Sequence, residues 1–587
     1  MRTSIPLIKT LGNYNSSLAY SDLIAALIVT LMLIPQSLAY ALLAGLPPEV
    51  GLYSSILPLI FYALFGTSST LAVGPVAIVS LMTGAAIFSL STESIYSPVQ
   101  IAITLSFLSG LILIVMSFLK MGFVANFLSR SVIDGFIMAS AILIAISQLK
   151  HIFAIDVQGH NLVEIGASLY TNIENYHLPT LLLGLLVIAS LFFARTGLVY
   201  ILKQLNVGNE KSLFITKVFP AIMIVGTILL MEQTAVGQMA ISTVGFIPNG
   251  LPELGLPGFD RELFSTLLFP AALISIIGYV ESISVARTFA KKSKDSIEPD
   301  NELMGLGAAN IGSSISGGMP VTGGFSRSVV NLNAGAKTSL SGVMAAIFIA
   351  LLTTGLMSLL EHLPKATLAA TIIVAVLGLI DFKKLKDTWL FSKYDFALTV
   401  ITIIITLLAG VEIGISTGII LSISLHLYHT SKPHMAVVGL VPGTEHFRNV
   451  LRHQVQTIPE IIGIRIDESL YFANSSFFEK EIVQLVKQSS KIRHCILQFS
   501  SVSDVDASAL ESLESINAKL KDMDVTLHLS EVKGPVMDKL SKTQLIKELT
   551  GKTHLSHFQA VKLLSKDLII RNELSTEAGI RLEDSTG

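Results

Sequence analysis

The sequence predicts a polytopic α-helical membrane domain followed by a cytosolic α/β domain, and three observations carry that prediction. Of the 587 residues, 51% are hydrophobic and only 14% are charged, with a mean hydropathy of +0.67. An ordinary soluble chain holds roughly 25% charged residues. The charge is also unevenly placed: residues 431–587 hold 39 of the Asp, Glu, Lys and Arg residues, and the 430 before them hold 43. Between Leu23 and Leu119 only Glu49 and Glu93 are charged. One crossing takes about 20 apolar residues, so that stretch alone has room for about four. The composition excludes a disordered chain and argues against a soluble enzyme. The single Cys495 excludes an intrachain disulfide and a cysteine zinc cluster. A net charge of −2 carries no global signal for nucleic acid.

Apolar segments recur at about 23–44, 52–65, 76–90, 99–119, 124–149, 178–193, 214–231 and 263–285. They continue at 303–315, 323–332, 340–359, 368–380, 396–409 and 413–428, about fourteen in all. The segment at 323–332 is too short to cross alone. Short segments interrupted by Gly and Pro at matching places in two halves point to a transporter's repeat and its site. The candidates are Leu71-Ala-Val-Gly-Pro-Val76 and Gly317-Gly-Met-Pro-Val-Thr-Gly-Gly324, each a short extended piece that breaks into a helix. The resulting division is an N-terminal cytosolic segment at 1–20, a membrane domain at 21–430, a linker at 431–456, an α/β domain at 457–567 and a flexible tail at 568–587.

Lys and Arg set the orientation, because cytoplasmic loops carry an excess of them. With the N-terminus inside, Arg2, Lys120, Arg130, Arg195, Lys203, Arg287, Lys294, Lys337, Lys383, Lys384, Lys386 and Lys393 are among the residues at the cytoplasmic side. Only Lys150, Arg261 and Lys365 fall outside. An even number of crossings then places both termini in the cytosol. The run Asp381-Phe-Lys-Lys-Leu-Lys-Asp-Thr-Trp-Leu390 reads as a short amphipathic helix on the inner surface.

Beyond the linker the period changes. Residues 461–466, 494–500 and 525–529 read as buried strands, with helices at 477–487, 507–520 and 533–547 between or after them. This alternation predicts helices packed on a sheet. Cys495, inside the second strand, reads as a buried, inert thiol.

The strongest chemical feature is Thr322-Gly-Gly-Phe-Ser-Arg-Ser328. An arginine in a membrane span is expensive, about 2.5–3.5 kcal/mol on insertion scales. Arg327 follows two glycines that start a half-helix, whose N-terminus offers free N–H groups and a positive dipole end. Its planar donor fork suits an oxyanion. A second half-helix after Gly74-Pro75 would aim at the same point, which describes a site for a small anion. Gln36 and Tyr40, four apart on the first helix, share a face and can donate hydrogen bonds; a polar helix–helix contact explains the pair equally well. Glu281, in Gly278-Tyr-Val-Glu-Ser-Ile-Ser284, is an intramembrane acid and so a candidate proton or ion relay; the alternative is an ion pair with Arg287 or Arg327. Asp134 reads as a helix-start or ion-pair residue. Ser508, in Asp504-Val-Asp-Ala-Ser-Ala509, lies at a helix start, where a cap is the better reading and phosphorylation the regulatory alternative. No metal-ligand spacing or cofactor-binding loop stands out.

These residues resemble a known family. Pro35-Gln-Ser-Leu-Ala-Tyr-Ala-Leu-Leu-Ala-Gly45 with Pro47-Pro-Glu-Val-Gly-Leu-Tyr53 resembles the sulfate-transporter signature of SulP anion permeases. Ala72-Val-Gly-Pro-Val-Ala77 and Thr322-Gly-Gly-Phe-Ser-Arg-Ser328, with Ala334-Gly-Ala-Lys-Thr338, resemble its two half-helix motifs. The cytosolic domain resembles a STAS domain, and the resemblance covers nearly the whole chain. It implies a seven-plus-seven inverted repeat, a homodimer, and a core subdomain that moves against a gate subdomain in elevator fashion. It places the anion site at Gln36, Tyr40, Val76, Ala77, Gly324, Phe325, Ser326 and Arg327, and the proton-coupling acid at Glu281. Gly324 departs from the serine common at that place in plant-type carriers.

The expected function is secondary active anion transport, with proton-coupled sulfate symport favoured and no cofactor. The competing expectations are a sodium-coupled bicarbonate or dicarboxylate carrier on the same fold, and a membrane-anchored STAS signalling or sensor protein. The expected partners are a small inorganic anion, protons, the lipid bilayer, a second copy of the chain and a cytosolic protein on the STAS domain. The expected location is the cell membrane, the inner one in a bacterium.

Overall fold

In a computed structural model of the chain, residues 6–12, 14–91, 96–126, 129–157, 159, 161–198, 201, 204, 209–233, 239–248, 250–255, 257–258, 260–293, 295–355 and 357–565 are described. A few side chains within these stretches, Ser326 among them, fall outside the description. The chain divides into two compact units, Met1–Ser422 and Ile423–Gly587. Seven helices among the described residues are long and apolar enough to cross a membrane, and four shorter apolar helices accompany them. The protein is a multi-pass membrane protein.

The first unit opens with α1 (Pro6–Gly12), α2 (Ser16–Leu43), α3 (Pro48–Tyr53) and α4 (Leu57–Phe65). Asn15 caps α2 by accepting the Leu18 N–H. Strand β1 (Val73–Gly74) leads into α5 (Ala77–Ser91), and α6 (Pro98–Phe118) follows behind a Ser97–Gln100 capping box. Then come α7 (Arg130–Ser147), α8 (Leu149–Phe153), α9 (Leu162–Asn172), α10 (Leu178–Phe193) and α11 (Asn209–Gln233). The second half repeats the plan with α12 (Arg261–Ser293), α13 (Pro299–Ile315), β2 (Thr322–Gly323), α14 (Phe325–Asn333) and α15 (Leu340–Gly355). It ends with α16 (Met357–Leu360), α17 (Lys365–Leu377), α18 (Phe382–Phe391), α19 (Lys393–Ala409) and α20 (Val411–Ser431).

Packing sorts these helices into two groups. The pairs α6–α13, α4–α13, α6–α12 and α2–α15 build one group. The pairs α7–α19, α10–α17 and α7–α17 build the other. Glycines permit close approaches within the first: a Cβ on Gly110 would meet the Gly307 carbonyl at 2.8 Å, and one on Gly307 would meet the Gly110 carbonyl at 2.9 Å. This is the small-residue packing expected where helix association has no hydrophobic driving force. The groups correspond to the core and gate of the expected inverted-repeat fold.

The second unit holds a six-stranded sheet in the order β4-β3-β5-β6-β7-β8. Its strands are β3 (Met435–Leu440), β4 (Phe447–Asn449), β5 (Ile461–Ile466), β6 (His494–Gln498), β7 (Thr526–Ser530) and β8 (Thr553–His554). β5 to β8 pair parallel, and the crossovers are α21 (Ser475–Lys487), α22 (Ala507–Asp522) and the pair α23 (Gly534–Leu540) and α24 (Gln544–Glu548). Cys495, Leu497, Leu527 and Leu529 face one apolar core; Ile496 faces a second, smaller one that includes Ala560 and Val561 of α25 (His557–Leu564).

Several elements differ from expectation. The 431–456 stretch, expected as a linker, contributes β3 and β4, because antiparallel pairing of β3 with β5 completes that side of the sheet. The helix expected over 533–547 is broken at Ser541–Thr543 into α23 and α24. The 568–587 tail lies outside the described residues.

Candidate anion site

The site grows from the two short strands. β1 and β2 pair antiparallel, with Val73 opposite Gly323 and Gly74 opposite Thr322. The helices that follow, α5 and α14, therefore leave in opposite directions with their N-terminal ends converging on the strand pair. Both ends present unpaired N–H groups and positive dipole ends to one place. Ser328 ties the two motifs together: its Oγ accepts the Ala72 N–H at 3.0 Å and donates to the Gly324 carbonyl at 2.7 Å.

Buried polar groups on neighbouring helices hold this crossing. On α12, Ser282 Oγ accepts the Gly323 N–H at 2.8 Å and contacts Thr322 Oγ1 at 2.7 Å. On α13, the Asn310 amide donates to the Val321 carbonyl and accepts the Val321 N–H, both at 2.9 Å. Glu302, fully buried, accepts from Thr67 N at 2.7 Å, Thr67 Oγ1 at 2.6 Å, Ser68 N at 3.2 Å and Tyr62 Oη at 2.9 Å. It thereby fixes the approach to β1. Asp22 accepts Lys337 N at 2.7 Å, Thr338 N at 3.1 Å and Thr338 Oγ1 at 2.5 Å, docking the Ala334–Thr338 turn on α2. Sequence reasoning missed Asp22, Glu302, Asn310 and Ser328 as supports. The available signal was that Asp22 and Glu302 are carboxylates inside or beside apolar segments, where an acid needs partners.

Arg327 sits in α14 at 2% exposure, the largest fully buried side chain described. Its guanidinium fills the space that side chains at Gly74 and Gly324 would occupy. A Cβ on Gly74 would lie 3.0 Å from Nη1, and one on Gly324 would lie 2.9 Å from Nε and Nη2. Nη1 and Nη2 have no hydrogen-bond partner. Buried polar groups are almost always partnered, so two orphaned donors on a buried cation mark a place for an acceptor. Glu281 on α12 has a buried Oε2 that also lacks a partner. No ion pair within 4.0 Å joins it to Arg327 among the described residues, yet Tyr40, Glu281 and Arg327 interact electrostatically.

The other expected residues take different places. Val76 is half-buried just before α5, and Ala77 is buried at its first position. Phe325 is 52% exposed, its ring 5.3 Å from that of Phe289. The backbone of Ser326 lies in α14, but its side chain is outside the described residues. Gln36 and Tyr40 line a cavity of about 70 Å³ between α2, Pro220 and Ala221 of α11, and Thr371 of α17. It lies between the two helix groups, and Arg327 does not line it. A larger cavity of about 500 Å³, near Tyr96, Asp260 and Ser314, contains none of the expected anion ligands. Asp134 pairs with Lys384 Nζ at 2.7 Å. In the second unit Ser508 is exposed in the first turn of α22, whose cap is Asp506, accepting the Ala509 N–H at 2.9 Å.

Residues 20–402 match the sulfate permease family and residues 452–560 match the STAS domain. The chain is 34% identical over 568 residues to sulfate transporter 4.1, chloroplastic, of Arabidopsis thaliana, covering 94% of this chain and 80% of that one. It is 30% identical to high affinity sulfate transporter 2 of Stylosanthes hamata, covering 93% and 84%. Among solved structures it is similar to the murine Slc26a9 anion transporter in its inward-facing state, with a TM-score of 0.84 at 23% identity over 96% of each chain. The transmembrane domain of the cyanobacterial bicarbonate transporter BicA aligns at a TM-score of 0.58 and 23% identity, covering 70% of this chain and 98% of that one.

Proposed function

Because the chain belongs to the sulfate permease family and carries a STAS domain, we propose that it is a secondary active carrier of small inorganic anions, with sulfate the favoured substrate and protons the coupling ion. The observation that carries the reading is Arg327: a buried guanidinium with two unpartnered nitrogens, cradled by two glycines where two half-helix N-termini converge. An oxyanion there accepts charge-assisted bonds from Nη1 and Nη2 and is further stabilised by both helix ends. Gln36, Tyr40 and Ser326 supply hydrogen bonds, while Val76, Ala77, Gly324 and Phe325 shape the site through the backbone and the Phe325 ring. Protonation of Glu281 removes a negative charge beside the anion and lets the loaded core, α2–α6 with α12–α15, cross against the gate. The carrier works as a homodimer in the cell membrane with both termini in the cytosol.

The test is uptake of labelled sulfate into proteoliposomes under an imposed inward proton or sodium gradient. Accumulation driven by protons alone supports the reading. Uptake that requires sodium, or uptake of bicarbonate or a dicarboxylate but not sulfate, replaces the coupling ion or the substrate. Folded protein that moves no anion rejects transport.

A further inference from the structure

α18 is unusual among the helices of the first unit in having no buried residue. Phe382 and Leu390 are each 72% exposed, Phe391 92% and Trp389 48%. Phe382, Leu385, Trp389 and Leu390 stand at i, i+3, i+7 and i+8, which places them on one stripe of the helix. Lys384 and Asp387 lie on the other side, Lys383 borders the stripe beside Leu390, and Lys386 stands within it between Phe382 and Leu390. A helix with an apolar stripe, basic flanks and low overall hydrophobicity lies in a membrane interface rather than across it.

The charges here are not equivalent. Asp381 caps the helix by accepting the Lys384 N–H at 3.0 Å. Asp134 is committed to Lys384 Nζ at 2.7 Å. Asp395, in the first turn of α19, accepts from Ser131 Oγ at 3.2 Å. Lys383, Lys386 and Lys393 are exposed and join no ion pair among the described residues, and Lys393 Nζ stands 5.9 Å over the Trp389 ring. Trp389 is itself oriented by an edge contact with Phe396, ring centroids 4.8 Å apart. Three ammonium groups without an ion pair therefore lie in or beside an exposed apolar stripe, while of the acids that keep their charge Asp381 caps the helix start, Asp387 lies on the side away from the stripe and Asp395 is half-buried toward α7. We propose that α18 is a binding surface for the headgroups of anionic lipids, with its Phe382–Leu390 stripe seated among the acyl chains and Lys383, Lys386 and Lys393 on the headgroup phosphates. The Lys384–Asp134 pair fastens this surface to α7. The inference stands on the charge and exposure of α18 and is independent of the transport reading.

Trp389 is the only tryptophan in the chain, so tryptophan fluorescence of the whole protein reports this helix alone. The full chain is reconstituted in phosphatidylcholine bilayers containing an equal, small fraction of either brominated phosphatidylglycerol or brominated phosphatidylcholine. The brominated chains quench tryptophan on contact. The brominated anionic lipid is expected to be enriched at Trp389 roughly fivefold for even one engaged lysine, and the enrichment is expected to fall in high salt. The variant K383Q/K386Q/K393Q should quench equally with both lipids while its thermal unfolding stays unchanged. Equal quenching of the native protein by the two lipids would overturn the headgroup recognition. No quenching by either would show that protein covers α18, and would overturn the proposal altogether.

Discussion

The Cβ that Gly74 lacks would stand 3.0 Å from Nη1 of Arg327, a residue 253 positions further along the chain. Real Cβ atoms rarely come so close to anything, so the guanidinium can lie across the strand pair only because glycine is there. Gly324 makes the same allowance from the other motif, at 2.9 Å from Nε and Nη2. Gly74→Ala and Gly324→Ala should each displace the guanidinium by tenths of an ångström and weaken sulfate binding by roughly tenfold, with little change in stability at Gly324 and a further backbone strain at Gly74, whose φ is +157°. Arg327→Lys, which keeps the charge and loses the fork, should weaken binding more than either. Equilibrium binding of labelled sulfate to purified protein checks all three. An unchanged affinity in Arg327→Lys would mean that the anion does not use the fork.

Substitution of Glu281 is expected to separate binding from coupling. Its Oε2 is buried without a partner, and no ion pair to Arg327 neutralises it among the described residues. Glu281→Gln mimics the protonated acid. Sulfate binding should remain within a few-fold of the native value, while dependence of uptake on the proton gradient disappears. Weakened binding with gradient dependence of the remaining uptake retained would make the carboxylate structural.

Glu302 makes a contrasting prediction, since all its surroundings donate to it. Glu302→Ala leaves the Thr67 and Ser68 N–H groups and the Tyr62 hydroxyl without their acceptor. The expected destabilisation is on the order of 3 kcal/mol. Glu302→Gln, which keeps one acceptor oxygen and points a donor at donors, should lie between. Thermal unfolding of the solubilised protein reads both, and a native-like melt of Glu302→Ala would show that water replaces the carboxylate.

The STAS sheet carries a pH dependence of its own. Burial pushes His528 and His557 down to about 4, with neighbouring His494 and His554 adding to the effect at His528 and His554 adding to it at His557. In the fold they stay neutral, whereas an unfolded chain takes up protons near pH 6.5. Stability is therefore full above 6.5 and is lost as pH falls toward about 4, at roughly 1 kcal/mol per histidine for each pH unit. The hydrogen-exchange protection of peptides covering β6, β7 and α25, taken relative to the intrinsic exchange rate at each pH, should fall between pH 7 and pH 5 in the full chain. His528→Gln with His557→Gln should flatten the profile.

Cys495 is fully buried in β6, and burial pushes its thiol up to about 12. Alkylating reagents at neutral pH should label it only after denaturation. Labelling of the native protein would show that this sheet opens on the timescale of the reaction.

How far the sequence could be read depended on the range of the interactions. Apolar length and the distribution of Lys and Arg are local, and they were enough for a polytopic helical domain with a soluble domain after it. The breaks at Gly74-Pro75 and Gly323-Gly324 are local as well, because glycine and proline interrupt a helix wherever they stand, and each became a short strand feeding a half-helix. Arg327 was legible because an unpaired charge among apolar residues costs too much to be incidental.

Tertiary structure decided which distant groups meet. The pairing of Val73 with Gly323 turns two separate breaks into one crossing and gives Gly74 its reason. The supports at Asp22, Glu302 and Asn310 act on backbone groups far away in sequence or around a turn, so their residue types alone did not reveal them. Strands β3 and β4 were hidden in an expected linker because their partners, not their composition, make them strands. Hydrophobic length and helix-breaking residues act on neighbours in the chain, and the sequence by itself determines them. Hydrogen bonds and close approaches between remote segments exist only once packing has selected the partners, and that selection belongs to the folded chain.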